Sequence, residues 1–112
     1  MPITVLNGPT IQAGQSLSNS ANLQGRQIVG LLVPLGLPST CITFQLSQGA
    51  NDFHDLYSIR GDLLKIYPVP GARLVFDTDW ALIADFMKIR TGTPDDPIVQ
   101  TAVRVFKTLI ST

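Results

Sequence analysis

Apolar positions come in short runs separated by Gly- and Pro-containing turns. Residues 27–34 (QIVGLLVP) form the most apolar run, and its length and Gly/Pro borders predict a buried central strand. Residues 41–47 alternate. Ile42, Phe44 and Leu46 fall on one face and Cys41, Thr43, Gln45 and Ser47 on the other, the period of a half-buried strand. Residues 53–59 and 63–67, either side of Arg60-Gly61-Asp62, read as a hairpin closed by Pro68-Val69-Pro70-Gly71. Residues 73–76 are a short extended piece, and residues 86–90 alternate as a strand. Between them, Asp77 and Asp79 suit a helix N-terminus, with Trp80, Ile83 and Ala84 at helical spacing. Residues 98–110 are ambiguous: an amphipathic stripe from Ile98 to Ile110 fits a helix, while the Ile/Val/Thr content favours a strand.

The N-terminal region differs from the rest in carrying no charge from Pro2 to Gly25. Residues 2–6 are a short β-like run, broken at Asn7-Gly8-Pro9. Residues 10–25, polar with Leu17 and Leu23 as spaced apolar positions, fit either an arm with a short strand or a partly disordered stretch. The expected organisation is an N-terminal arm over 1–9 and one all-β domain over 10–112. That domain is an antiparallel sandwich or barrel with at most one short helix near 78–84.

Composition changes the picture by making association an expectation. Eight Lys+Arg balance eight Asp+Glu, and charged residues make up 14% of 112 residues, against about 25% in ordinary soluble domains. A small domain has much surface to keep wet, and interface centres are poor in charge, so part of this surface is expected to be covered by protein. The basic residues are scattered, which speaks against a phosphate-backbone partner. No stretch is long and apolar enough for a membrane helix, and no basic region followed by an apolar block suggests a signal peptide.

Candidate chemistry is sparse. Ser47, His54 and Asp55 can be written as a catalytic set, but no nucleophile elbow surrounds any serine, and His54 is the single histidine. One Cys and one His do not supply a zinc site, and the paired Asp residues lack a calcium-loop pattern. Cys41 reads as a small buried hydrophobe. Arg60-Gly61-Asp62 matches a cell-adhesion tripeptide, yet Gly and Asp there also suit a turn. Trp80, Tyr57, Tyr67 and Phe53 suggest a sugar-stacking platform, against which Trp80 and Phe53 also suit the core. The expectation is a non-enzyme with no cofactor and no metal.

Several pieces, in order, carry a resemblance. They run from Ile11-x-x-Gly14-x-Ser16-Leu17-Ser18 and Leu23 through residues 28–34 and 42–47 to Asp52-Phe53 and Leu56-Tyr57. Phe86-Met87-Lys88-Ile89-Arg90-Thr91-Gly92-Thr93, Pro97-Ile98-Val99-Gln100 and Ala102-x-Arg104 follow. This order resembles small virion accessory proteins of tailed bacteriophages, which often act as capsid decoration (cement) proteins. Phe44-x-x-Ser47 with the acidic-aromatic turn after it is also similar to discoidin-type jelly-roll binding modules. The sequence departs from the pattern at residues 36–40, where an aromatic is common and none is present.

The resemblance implies a jelly-roll-like β-sandwich and tips residues 98–110 towards strand. It implies a structural protein on the outer surface of a virion capsid, bridging major capsid subunits and forming dimers or trimers, with no nucleic-acid or membrane partner. The alternative is a carbohydrate- or receptor-binding module of the virion. Candidate contact residues are Pro2, Ile3, Thr4, Val5 and Leu6, as an uncharged arm that adds a strand to a neighbour, and Thr93, Pro94 and Asp95 in a polar loop.

Overall fold

Eight strands follow one another in the computed structural model, which describes residues 3–37, 40–49, 51–75 and 85–111. They are β1 (Ile3–Ile11), β2 (Ala21–Asn22), β3 (Ile28–Leu32), β4 (Ile42–Ser47), β5 (His54–Asp55), β6 (Arg73–Val75), β7 (Phe86–Thr91) and β8 (Arg104–Ser111). The first four pair antiparallel with the last four in reverse order: β1 with β8, β2 with β7, β3 with β6 and β4 with β5. Two further pairings, β3 with β8 and β4 with β7, join these ribbons into two four-stranded sheets, β1-β8-β3-β6 and β2-β7-β4-β5. A chain doubled back once and rolled into two facing sheets is the jelly-roll arrangement.

Alternation within the strands builds the core. Phe44, Ile42 and Ile89 from one sheet meet Leu31, Phe106 and Ile110 from the other, all fully buried. The ambiguous C-terminal segment divides in two: residues 98–103 are irregular, and β8 is a central strand of the first sheet. There β-branched side chains fit a pleated surface flanked on both sides.

Three expectations are corrected. Residues 3–9 are not an arm ahead of the domain, because β1 runs unbroken from Ile3 through Gly8-Pro9 to Ile11 and pairs with β8 along its length. The expected break is a bulge instead, with Asn7 and Gly8 both opposite Lys107. Gly8 supplies its φ of +126°, and Thr108 Oγ1 donates to the Gly8 carbonyl at 2.8 Å. Second, β4 is buried on both faces, with Gln45 its one half-buried residue. Thr43 Oγ1 donates to the Gly92 carbonyl at 3.0 Å, and the Ser47 hydroxyl sits inside the turn that follows, on the Gly49 carbonyl and the Asp52 amide. Third, the hairpin over 53–67 is mostly irregular, held by the isolated bridges Tyr57–Leu63 and Ile42–Ile66. The helix expected near 78–84 lies outside the described residues, as do Pro2 and Trp80.

Candidate functional site

The residues nominated for catalysis find separate partners. Ser47 is 3% exposed and bonded within its turn, whereas His54 pairs with Asp52 at 2.9 Å on the open surface. Asp55 instead accepts Arg90 Nη1 at 2.9 Å and Gln45 Nε2 at 3.3 Å, so no relay joins Ser47, His54 and Asp55. The Arg90 and Asp55 side chains are 11% and 28% exposed. Asp55→Ala, which leaves Arg90 beside the sheet without its carboxylate, is expected to cost about 1–3 kcal/mol in urea unfolding. Among the described residues no three His, Cys or Asp side chains gather as metal ligands. Cys41 is buried. Phe53 is half-buried beneath the Lys88 ammonium, 4.5 Å from its centroid, rather than in the core. Arg60-Gly61-Asp62 forms an exposed turn, with Gly61 at φ +87° and Ser58 N–H donating to the Asp62 carbonyl at 2.7 Å.

The two groups of candidate contact residues fall at opposite ends of the β1–β8 ladder. Ile3, Thr4, Val5 and Leu6 face residues 108–111. The loop carrying Thr93, Pro94 and Asp95 leaves β7 near the other end, where Ile11 meets Arg104 and Gly14 donates to the Gln100 carbonyl at 2.7 Å. Hydrogen bonds tie that loop to itself and to the residues beneath it. Thr93 and Asp96 exchange backbone hydrogen bonds of 3.1 and 3.2 Å. Beneath it Thr91 Oγ1 donates to the Ile98 carbonyl (2.6 Å) and accepts from Gln100 Nε2 (3.0 Å), and Gln100 Oε1 accepts from Arg104 Nε (2.9 Å). Thr93 and Asp95 form one wall of a shallow groove, and Tyr57, Asp62 and Lys65 form the other.

Comparison with known protein families, curated proteins and solved structures returns no match.

The outer face of the first sheet is a surface that no run of the sequence announces. Directly paired residues share a face. One row across the sheet places Val5, Leu109 and Gly30 side by side, and the next places Asn7, Lys107, Leu32 and Arg73. Leu109 points outward yet is 5% exposed, because it lies over Gly30, where a Cβ would stand 3.1 Å from its Cδ1. Ile3 (53% exposed), Val5 (52%) and Val105 (46%) remain open. The face combines apolar side chains with Lys107 and Arg73, and β1, β3, β6 and β8 contain no carboxylate. All eight acidic residues are Asp, confined between Asp52 and Asp96. That one-sided distribution is the signal in the sequence, but it becomes a surface only once distant segments are placed in one sheet.

Proposed function

We propose that this chain is a non-enzymatic structural protein of a virus particle, a bacteriophage capsid decoration protein lying on the outer surface and bridging major capsid subunits. The outer face of the first sheet carries the reading: an exposed apolar strip with Lys107 and Arg73 beside it and no acid on its strands. Burying Ile3, Val5 and Val105 against a shell supplies the hydrophobic term, and the two cations select a surface bearing carboxylates. The ordered resemblance to phage accessory proteins adds support from the sequence. Fold alone does not assign a role, since jelly rolls serve shells and sugar-binding domains alike. Many copies on one shell turn a weak single contact into firm attachment through subunits bridged together.

Co-sedimentation with empty phage shells lacking the protein tests this. Wild type is expected to pellet with shells, less so at high salt. Val105→Asp places a carboxylate in the apolar strip and Lys107→Glu reverses the charge; each is expected to weaken binding about tenfold or more. Both positions are exposed, so neither change endangers folding. Wild type that stays in the supernatant at low salt, or variants that bind equally well, overturns the reading. A second reading, a carbohydrate- or receptor-binding module, is favoured by Tyr57, 53% exposed at the rim of the groove with Asp62, Lys65 and Asp95. Glycan-array binding lost in Tyr57→Ala is the result that selects it.

A further inference from the structure

Among the described residues, three of the four sheet edges are blunted and one is open. A sheet edge presents unpaired N–H and C=O groups, which proteins protect by shortness, charge, proline or bulges. In the second sheet both edge strands, β2 and β5, are two residues long. In the first sheet the described part of β6 is three residues long and begins with Arg73. The remaining edge, β1, is nine residues long, and among the described residues β8 is the one strand beside it. Its second half is protected. Pro9 has no N–H, and at Thr10 the edge is already occupied: its N–H donates to Asn19 Oδ1 at 2.8 Å and its carbonyl accepts the Asn19 N–H at 3.1 Å. Residues 3–7 carry no charge and no proline, and among the described residues no side chain hydrogen-bonds to their backbone.

We infer that residues 3–7 of β1 form the interface of a two-fold dimer, pairing antiparallel with the same strand of a second copy. Three observations select a second copy as the occupant. No charge lies between Pro2 and Gly25, so two such strands meet without repulsion. Full overlap of the five open residues sets Val5 opposite Val5, Thr4 opposite Leu6 and Ile3 opposite Asn7. This register keeps inward side chains inward and outward ones outward, as strand pairing requires. It also joins the exposed Ile3 and Val5 of both copies into one apolar strip across an eight-stranded sheet. A single open edge pairs once, so the product is an isologous dimer and not a trimer. The paired ribbon is short and buries far less than a standard interface of about 1,200–2,000 Å2, so the dimer is weak and concentration-dependent.

The inference stands apart from shell binding and is tested on the free protein. Paired residues across an antiparallel junction have Cα separations of about 4.5–5.5 Å, within the range a disulfide spans. In a Cys41→Ala background, Val5→Cys is expected to cross-link under mild oxidation as a dimer, in a concentration-dependent manner. Ile3→Cys is the matched control: it is equally exposed (53% against 52%) but sits opposite Asn7 and is expected to cross-link at least tenfold more slowly. Sedimentation equilibrium is expected to show a monomer–dimer equilibrium that Val5→Lys shifts tenfold or more towards monomer, with the melting temperature of the monomer unchanged. Equal cross-linking of the two cysteine variants overturns the register. Wild type that remains a monomer up to millimolar concentration overturns the dimer, whatever the shells do.

Discussion

Gly92→Ala is expected to lower folding stability by about 3 kcal/mol or more, since it combines a disfavoured backbone conformation with a collision against main chain. Gly92 follows β7 with φ +86°. A Cβ built there stands 2.4 Å from the Asp96 carbonyl oxygen and 2.8 Å from the Ile98 nitrogen, both backbone atoms that no side-chain rotation moves aside. Shifting the loop to make room breaks bonds that hold it to the sandwich: Gly92 N–H to the Cys41 carbonyl (2.8 Å), Ile98 N–H to the Thr91 carbonyl (2.8 Å), and Thr43 Oγ1 to the Gly92 carbonyl. Gly14→Ala isolates the conformational part. Gly14 has φ +83° with no atom within 4 Å of the point where a Cβ would stand, and its replacement is expected to cost about 1 kcal/mol. Urea denaturation of the two variants checks the comparison; equal losses would show that the 92–98 loop yields without resistance.

Phe106→Ala is expected to cost about 3–5 kcal/mol through lost burial and the cavity left behind. Phe106 is fully buried on β8, the strand flanked by β1 and β3, so neighbours paired on both sides limit how far the sheet can close on the gap. A domain of this size holds about 5–15 kcal/mol in total, so thermal unfolding should drop by about 15 °C. Val105→Ala, one position away on the same strand but facing outward and 46% exposed, is expected to change stability by less than about 1 kcal/mol. Similar losses at the two positions would contradict the assignment of inner and outer faces on β8.

Strand periodicity made much of the fold legible in advance. The apolar run at β3, the alternation at β4 and the alternation at β7 each mark a real strand. What the sequence concealed follows from physics acting at long range. Asn7-Gly8-Pro9 carries the residues of a chain break, but the ladder to β8 continues through a bulge because Lys107 can face two residues at once. Thr43 and Ser47 look solvent-facing by alternation, yet each is buried because its hydroxyl finds a backbone partner nearby or across the fold. Residues 98–110 carry a helical stripe that is accidental, as only Phe106 and Leu109–Ile110 among its bulky members are fully or nearly buried. Of the candidate contact residues, the open stretch of β1 was visible in the lack of charge. The cationic face around Lys107 and Arg73 was not, because its members come from four separate parts of the chain.

The place of β8 between β1 and β3 has a consequence for how the molecule comes into being. During synthesis β1 and β3 emerge early. Until β8 has left the ribosome, β1 has no neighbour in the first sheet among the described residues, and β3 has only the described stretch of β6. The Ile3–Ser111 pair spans nearly the whole described chain, the kind of distant closure that slows folding. The nascent polypeptide therefore passes through a long interval with its uncharged first strand unpartnered and its most apolar segment half-covered, the stage at which such chains are prone to aggregate. Pairing of β1 and β3 in the first sheet therefore waits on the eight-residue β8, which stands between them.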